Sequence, residues 1–178
     1  MRKSSAGEIF DGGNMMKLVD NESLDVLTKK ARESARKRMN LNLHDDPGDP
    51  VQRLCNAIEP GTYIRPHRHT NPGTMEVFLM LRGSAVLLLF HDDGKVRERV
   101  ELSATGPVIA AEIPQGAWHA MASLEKNTIF FEVKKGPYVR PDHDNVAPWA
   151  PEEDSTAAAR IVEWYRNALN GQNFPVFN

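Results

Sequence analysis

Between Gly61 and Gly83 the chain reads GTYIRPHRHTNPGTMEVFLMLRG. Extended backbone sends alternate side chains to the same face, so the imidazoles of His67 and His69 project together. Pro72 and Gly73 interrupt the run. MEVFLML then continues it as an apolar stretch of the kind that forms a strand buried on both faces. Phe78 and Met80 share the parity of Glu76, which sets that carboxylate at the rim of an apolar interior. Burying a bare charge there is costly, so Glu76 needs a partner or a cation.

A second stretch, IPQGAWHAMAS from Ile113 to Ser123, supplies what the first lacks. Pro114 and Gly116 mark a turn, and His119 follows on the next strand. Two histidines on one strand, a glutamate on the next and a histidine on a later one make an N3O ligand set. His67, His69, Glu76 and His119 thus suit one divalent transition metal, Fe, Mn, Ni, Zn or Cu, because neutral imidazole and carboxylate accept all five. Tyr63 and Arg65 have the parity of His67 and are, with Glu76, the candidate catalytic groups. Arg65 would suit a carboxylate or phosphate. Trp118 has the opposite parity to His119 and is expected to pack outside the interior.

These pieces resemble the two motifs of the cupin superfamily. Gly61, His67, His69, Glu76 and Gly83 match the first motif, and Pro114, Gly116 and His119 match the second. Six residues, Thr70 to Met75, separate the second histidine from the glutamate, where three or four are usual, and Ser123 stands where the second motif often has Asn. The longer loop leaves open whether Glu76 touches the ion or stands behind another ligand. The wider text RLCNAIEPGTYIRPHRH, IFFEVKKGPYV and APWAPEE resembles the WbuC family of cupin-fold metalloproteins over roughly Leu18 to Glu153. That resemblance implies a cupin double-stranded β-helix, or jelly roll. It also implies a link to O-antigen or other surface-polysaccharide biosynthesis, and a sugar or nucleotide-sugar substrate.

The rest of the chain agrees with a mainly β domain flanked by helices. Residues 1–15 are polar and without apolar period, and the expectation is a flexible extension. Residues 16–45 form an N-terminal helical segment, with a helix expected over Asn21 to Met39, capped by Asn21 or Ser23. NLNLHDDPGDPVQ reads as a linker, in which His44 has a capping or surface role. Residues 50–136 carry the jelly roll. They include a hairpin around Asp93-Gly94 and three further short strands in GPVIAAEIP, AWHAMAS and NTIFFEV. Residues 137–178 form a wrapping segment pinned by Trp149, then a helix over Thr156 to Leu169 with Asp154 or Ser155 as cap and Gly171 as stop. His91 and His143 read as surface residues, and Cys55 as a small buried one.

A chain of 178 residues with net charge −2 can bury a real core and shows no basic surface for nucleic acid. The single cysteine excludes an intrachain disulfide. The longest apolar run, VFLMLRGSAVLLLF, is broken by Arg82 and Gly83 and falls short of the ~20 residues a membrane span needs. The N-terminal residues lack the apolar core of a signal peptide, so the expected location is cytoplasmic. Unpaired sheet edges favour a homodimer. Three functional readings follow: a metal-dependent enzyme, such as an isomerase, on a small polar substrate; a metal-dependent dioxygenase; and a non-catalytic metabolite-binding module.

Overall fold

The structure, a computed structural model, describes residues 16–140 and 142–176. The expected flexible extension, residues 1–15, lies outside them. The order is α1 (Asn21–Glu33), β1 (Arg38–Asn42), β2 (Val51–Ile58), β3 (Glu76–Arg82), β4 (Ser84–Phe90), β5 (Val96–Ser103), β6 (Ala110–Ile113), β7 (Trp118–Ser123), β8 (Thr128–Lys135) and α2 (Ala158–Asn167). The strands form two antiparallel sheets. One runs β1-β2-β8-β3-β6 and the other β5-β4-β7. The fold is a mainly β jelly roll with an N-terminal and a C-terminal helix.

Four layers result. Helix α1 lays Leu24, Leu27 and Ala31 on Cys55, Ala57 and Ile129 of the first sheet. Ile58, Phe78, Met80, Leu87, Met121 and Phe130 fill part of the space between the sheets. On the far side of the second sheet, Val86, Leu88, Phe90 and Trp118 meet Ile161, Val162 and Tyr165 of α2. SAVLLLF of β4 is therefore covered on both faces, as is WHAMAS of β7. MEVFLML is not: Glu76, Phe78 and Met80 are buried, whereas Leu79 on the other face is 37% exposed, because α1 does not reach over it.

Both helices are shorter than expected. Asp20, rather than Asn21 or Ser23, caps α1. Its carboxylate accepts the Ser23 N–H at 2.8 Å, and the Ser23 hydroxyl accepts the Asp20 N–H at 3.1 Å. The helix ends at Glu33, and after a turn at residues 34–37 a strand forms inside the expected helix and linker. Met39, Leu41 and Leu43 alternate with Asn40 and Asn42, a period-two pattern, and β1 pairs with β2. Helix α2 begins at Ala158 behind a turn in which Ser155 Oγ accepts the Ala157 N–H at 3.1 Å, and ends at Asn167, four residues before Gly171. Trp149 packs on Phe90, Trp118 and Phe174, as expected.

Gly83 turns the chain from β3, in one sheet, to β4, in the other, with φ +67°. A Cβ there would lie 2.6 Å from Thr128 Oγ1 and 3.0 Å from Thr128 Cα. Gly83→Ala combines left-handed backbone with a clash against main chain, so a loss of roughly 1–3 kcal/mol is expected in denaturant titration. An unchanged midpoint would refute the account of this turn.

Candidate metal centre

Residues 61–70 form an arm that meets β7 through one bridge, at His67. The His67 N–H donates to His119 O at 3.1 Å, and the His119 N–H returns to His67 O at 2.9 Å. The other side of the arm is tied by Ala147 N to Pro66 O and by Arg68 N to Asn145 O. Across the interior, β3 presents Glu76. His67, His69, Glu76 and His119 each offer one ligand atom, all within 4.8 Å of one another. The three imidazoles surround one point, with ring centroids 4.4 to 5.8 Å apart. The six-residue loop before Glu76 does not carry it away from the histidines.

Tautomers follow from the backbone. His67 Nδ1 stands 3.1 Å from Arg65 O, and His119 Nδ1 stands 2.9 Å from Ala117 O. A carbonyl only accepts, so each Nδ1 carries the proton and each Nε2 keeps its lone pair. His69 Nε2 and His119 Nε2 are 3.0 Å from the two oxygens of Glu76. These pairs lack hydrogen-bond alignment: both Nε2 atoms and Glu76 Oε2 are buried with no hydrogen-bonded partner. An unsatisfied buried polar group costs about 1–3 kcal/mol, and here three face one another. A cation among them satisfies all three, so the residues present fit a divalent metal.

Electrostatics point the same way. Burial, reinforced by His119, pushes the His67 imidazole down to about 3, so it is neutral and ready to ligate. Burial pushes His119 down too, but the Glu76 carboxylate outweighs it and raises the group above its ordinary value. Burial pushes the Glu76 carboxyl up, but His119, His69 and Lys134 hold it well below the usual range. The centre is built to contain positive charge.

His67, Glu76 and His119 lie along the wall of a cavity of about 340 Å³, apolar at Ile58, Phe78, Met121 and Phe130 and polar at Asn56, Glu132 and Lys134. A wider mouth of about 1150 Å³ shares Arg36, Arg38 and Asn40 with it and adds His69, Asn42 and Arg65. Lys134 Nζ reaches Glu76 Oε1 at 3.2 Å and Glu132 Oε1 at 2.8 Å, and Asn56 Nδ2 donates to Glu132 Oε2 at 2.7 Å. Sequence reasoning missed these three. The signal was the parity of Phe130, Glu132 and Lys134, and of Leu54, Asn56 and Ile58, which places polar groups on the inner face of otherwise apolar strands.

Tyr63 is not brought to the site. Its ring packs against Tyr165, and its hydroxyl donates to Pro151 O at 2.9 Å. Pro66 lies between Tyr63 and His67, and the arm there is not regular strand, so parity fails. Arg65 does line the mouth, but its guanidinium is engaged by Glu152 at 2.5 Å and Ala147 O at 3.0 Å. Trp118 faces away from the centre, as expected, although it is buried, with Arg68 4.2 Å from its ring. His44 is buried, and its Nδ1 accepts the Arg53 N–H at 3.0 Å, a correction to a surface role. His91 and His143 are exposed. Cys55 is fully buried, and burial pushes its thiol up to about 11.

A family described as a domain of unknown function (DUF6016) matches residues 19–102. No curated protein matches the chain. Solved structures similar to it include KdgF from Halomonas sp., 18% identical over 60% of this chain and 82% of that one, with TM-score 0.44. A cupin 2 domain-containing protein from Halorhodospira halophila is 20% identical over 76% of this chain and 85% of that one, with TM-score 0.46. Oxalate decarboxylase from Bacillus subtilis is 16% identical over 61% of this chain and 26% of that one, with TM-score 0.45. Among the described residues no helix is long and apolar enough to cross a membrane.

Proposed function

We propose that this protein is a metal-dependent enzyme acting on a small polar, sugar-like substrate, with one divalent transition metal held by His67, His69, Glu76 and His119. The observation that carries the reading is the convergence of buried, unpartnered Nε2 and Oε2 atoms on the wall of an open cavity. A metal held by the arm and by strands β3 and β7, with a cavity at its side, would supply Lewis-acid chemistry to a bound oxygen. The chain's own residues do the rest. Ile58, Phe78 and Phe130 exclude water from one side, and Asn40, Asn42 and Asn56 present amides on the other. Amide donors and acceptors suit hydroxyl groups, which supports the sugar-like class; the link to surface polysaccharide rests on the WbuC resemblance alone.

Backbone ladders already hold the ligand strands, so the metal serves the ligand rather than the fold. Chelation is expected to leave the far-UV circular dichroism nearly unchanged while abolishing binding of a sugar or sugar-phosphate probe in titration calorimetry. Collapse of the fold on stripping, with no probe distinguishing the two forms, would replace the enzyme by a structural metal site.

A further inference from the structure

Nothing so far gives Lys134 and Glu132 a task. In the first sheet Lys134 stands directly opposite Glu76 on β3, and Glu132 lies two residues before it on the same face. Asn56 of β2 completes the row by donating to Glu132. The Lys134 and Glu132 side chains are only 15% and 10% exposed. A buried ammonium needs neutralising, and one carboxylate suffices for that. Here there are two. Glu132, fixed by Asn56, neutralises Lys134 from behind, and another Lys134 N–H reaches forward to Glu76 Oε1. The consequence falls on the two oxygens of Glu76. Oε1 accepts from Lys134, and Oε2 is buried without a hydrogen-bonded partner, 3.0 Å from His119 Nε2.

We propose that Lys134, anchored by Glu132 and Asn56, is a positioning residue for the metal centre: it holds Glu76 by Oε1, the oxygen that also stands 3.0 Å from His69 Nε2, and so keeps Oε2 facing His119 Nε2. The inference rests on the metal-site reading above. It also accounts for the second carboxylate. A lone ammonium beside a cation site repels the cation, whereas the Lys134–Glu132 pair is neutral as a unit and orients Glu76 without reducing the attraction the ion feels. Hydrogen-bond partners of metal ligands typically contribute 10–100-fold to affinity.

The test uses Co(II) as probe, with affinity read by chelator competition and ligand geometry by the visible absorption of the bound ion. Lys134→Met and the double variant Lys134→Met/Glu132→Gln are compared with the wild type, each checked by far-UV circular dichroism. The double variant carries no uncompensated second carboxylate, so it decides the matter where the single one fails to fold. Folded variants are expected to bind Co(II) about 10–100-fold more weakly, with an altered absorption envelope. A change in stability alone would leave that envelope unmoved. Wild-type affinity and spectrum in the variants would overturn this assignment alone; a wild type that binds no Co(II) would overturn the metal reading and this assignment with it.

Discussion

Alanine at His67 or at His119 is expected to lower transition-metal affinity by more than ~100-fold, beyond the 10–100-fold that follows loss of an outer partner of a ligand. Each substitution removes a lone-pair-bearing Nε2, buried at His119, whose tautomer is set by a backbone carbonyl. The remaining histidines stand outside the cluster: His44 is held by Arg53, and His91 and His143 are exposed. His143→Ala is therefore the control that retains metal. Glu76→Gln keeps shape and loses charge, and an intermediate loss is expected. Elemental analysis of protein purified without added metal reads all four. Full retention in both His67→Ala and His119→Ala would end the metal reading.

The cluster of His67, His69, Glu76 and His119 was legible in the sequence because each of its two pieces carries a local signature. His67 and His69 alternate on one arm, Glu76 shares parity with Phe78 and Met80, and His119 follows a Pro-x-Gly turn. What parity could not show is the environment across strands. Lys134 meets Glu76 through sheet register, fixed by hydrogen bonds between residues 58 apart in the chain. Tyr63 failed for the opposite reason: parity was extended through Pro66, where the arm is not a regular strand, and the ring turned to Tyr165. The helix expected to reach Met39 stopped at Glu33 because a second pattern overlapped its end. Arg36 and Arg38 leave the helix line to pair with Glu153, and Met39 and Leu41 take up strand alternation. Two periods competing over a few residues are decided by distant partners, here β2 and the segment around Glu153.

Tyr165→Ala is expected to cost roughly 3–5 kcal/mol, the range for removing a fully buried aromatic. Tyr165 is completely buried in α2, and its ring lies 6.0 to 6.3 Å from those of Tyr63, Phe90 and Phe174. These contacts join the helix to β4, to the final segment and to the arm that carries His67 and His69. The hydroxyl adds little, since it reaches Ile64 O only at 3.4 Å; Tyr165→Phe should change stability by under ~1 kcal/mol. The larger substitution therefore tests packing rather than polarity. It should also weaken metal binding without touching a ligand, because Tyr63 and Ile64 immediately precede the arm's histidines and lose their support from below. Urea titration measures the first effect and chelator competition the second. A Tyr165→Ala variant with wild-type midpoint and wild-type metal affinity would show that α2 is an appendage and that the backbone bonds between His67 and His119 hold the arm unaided.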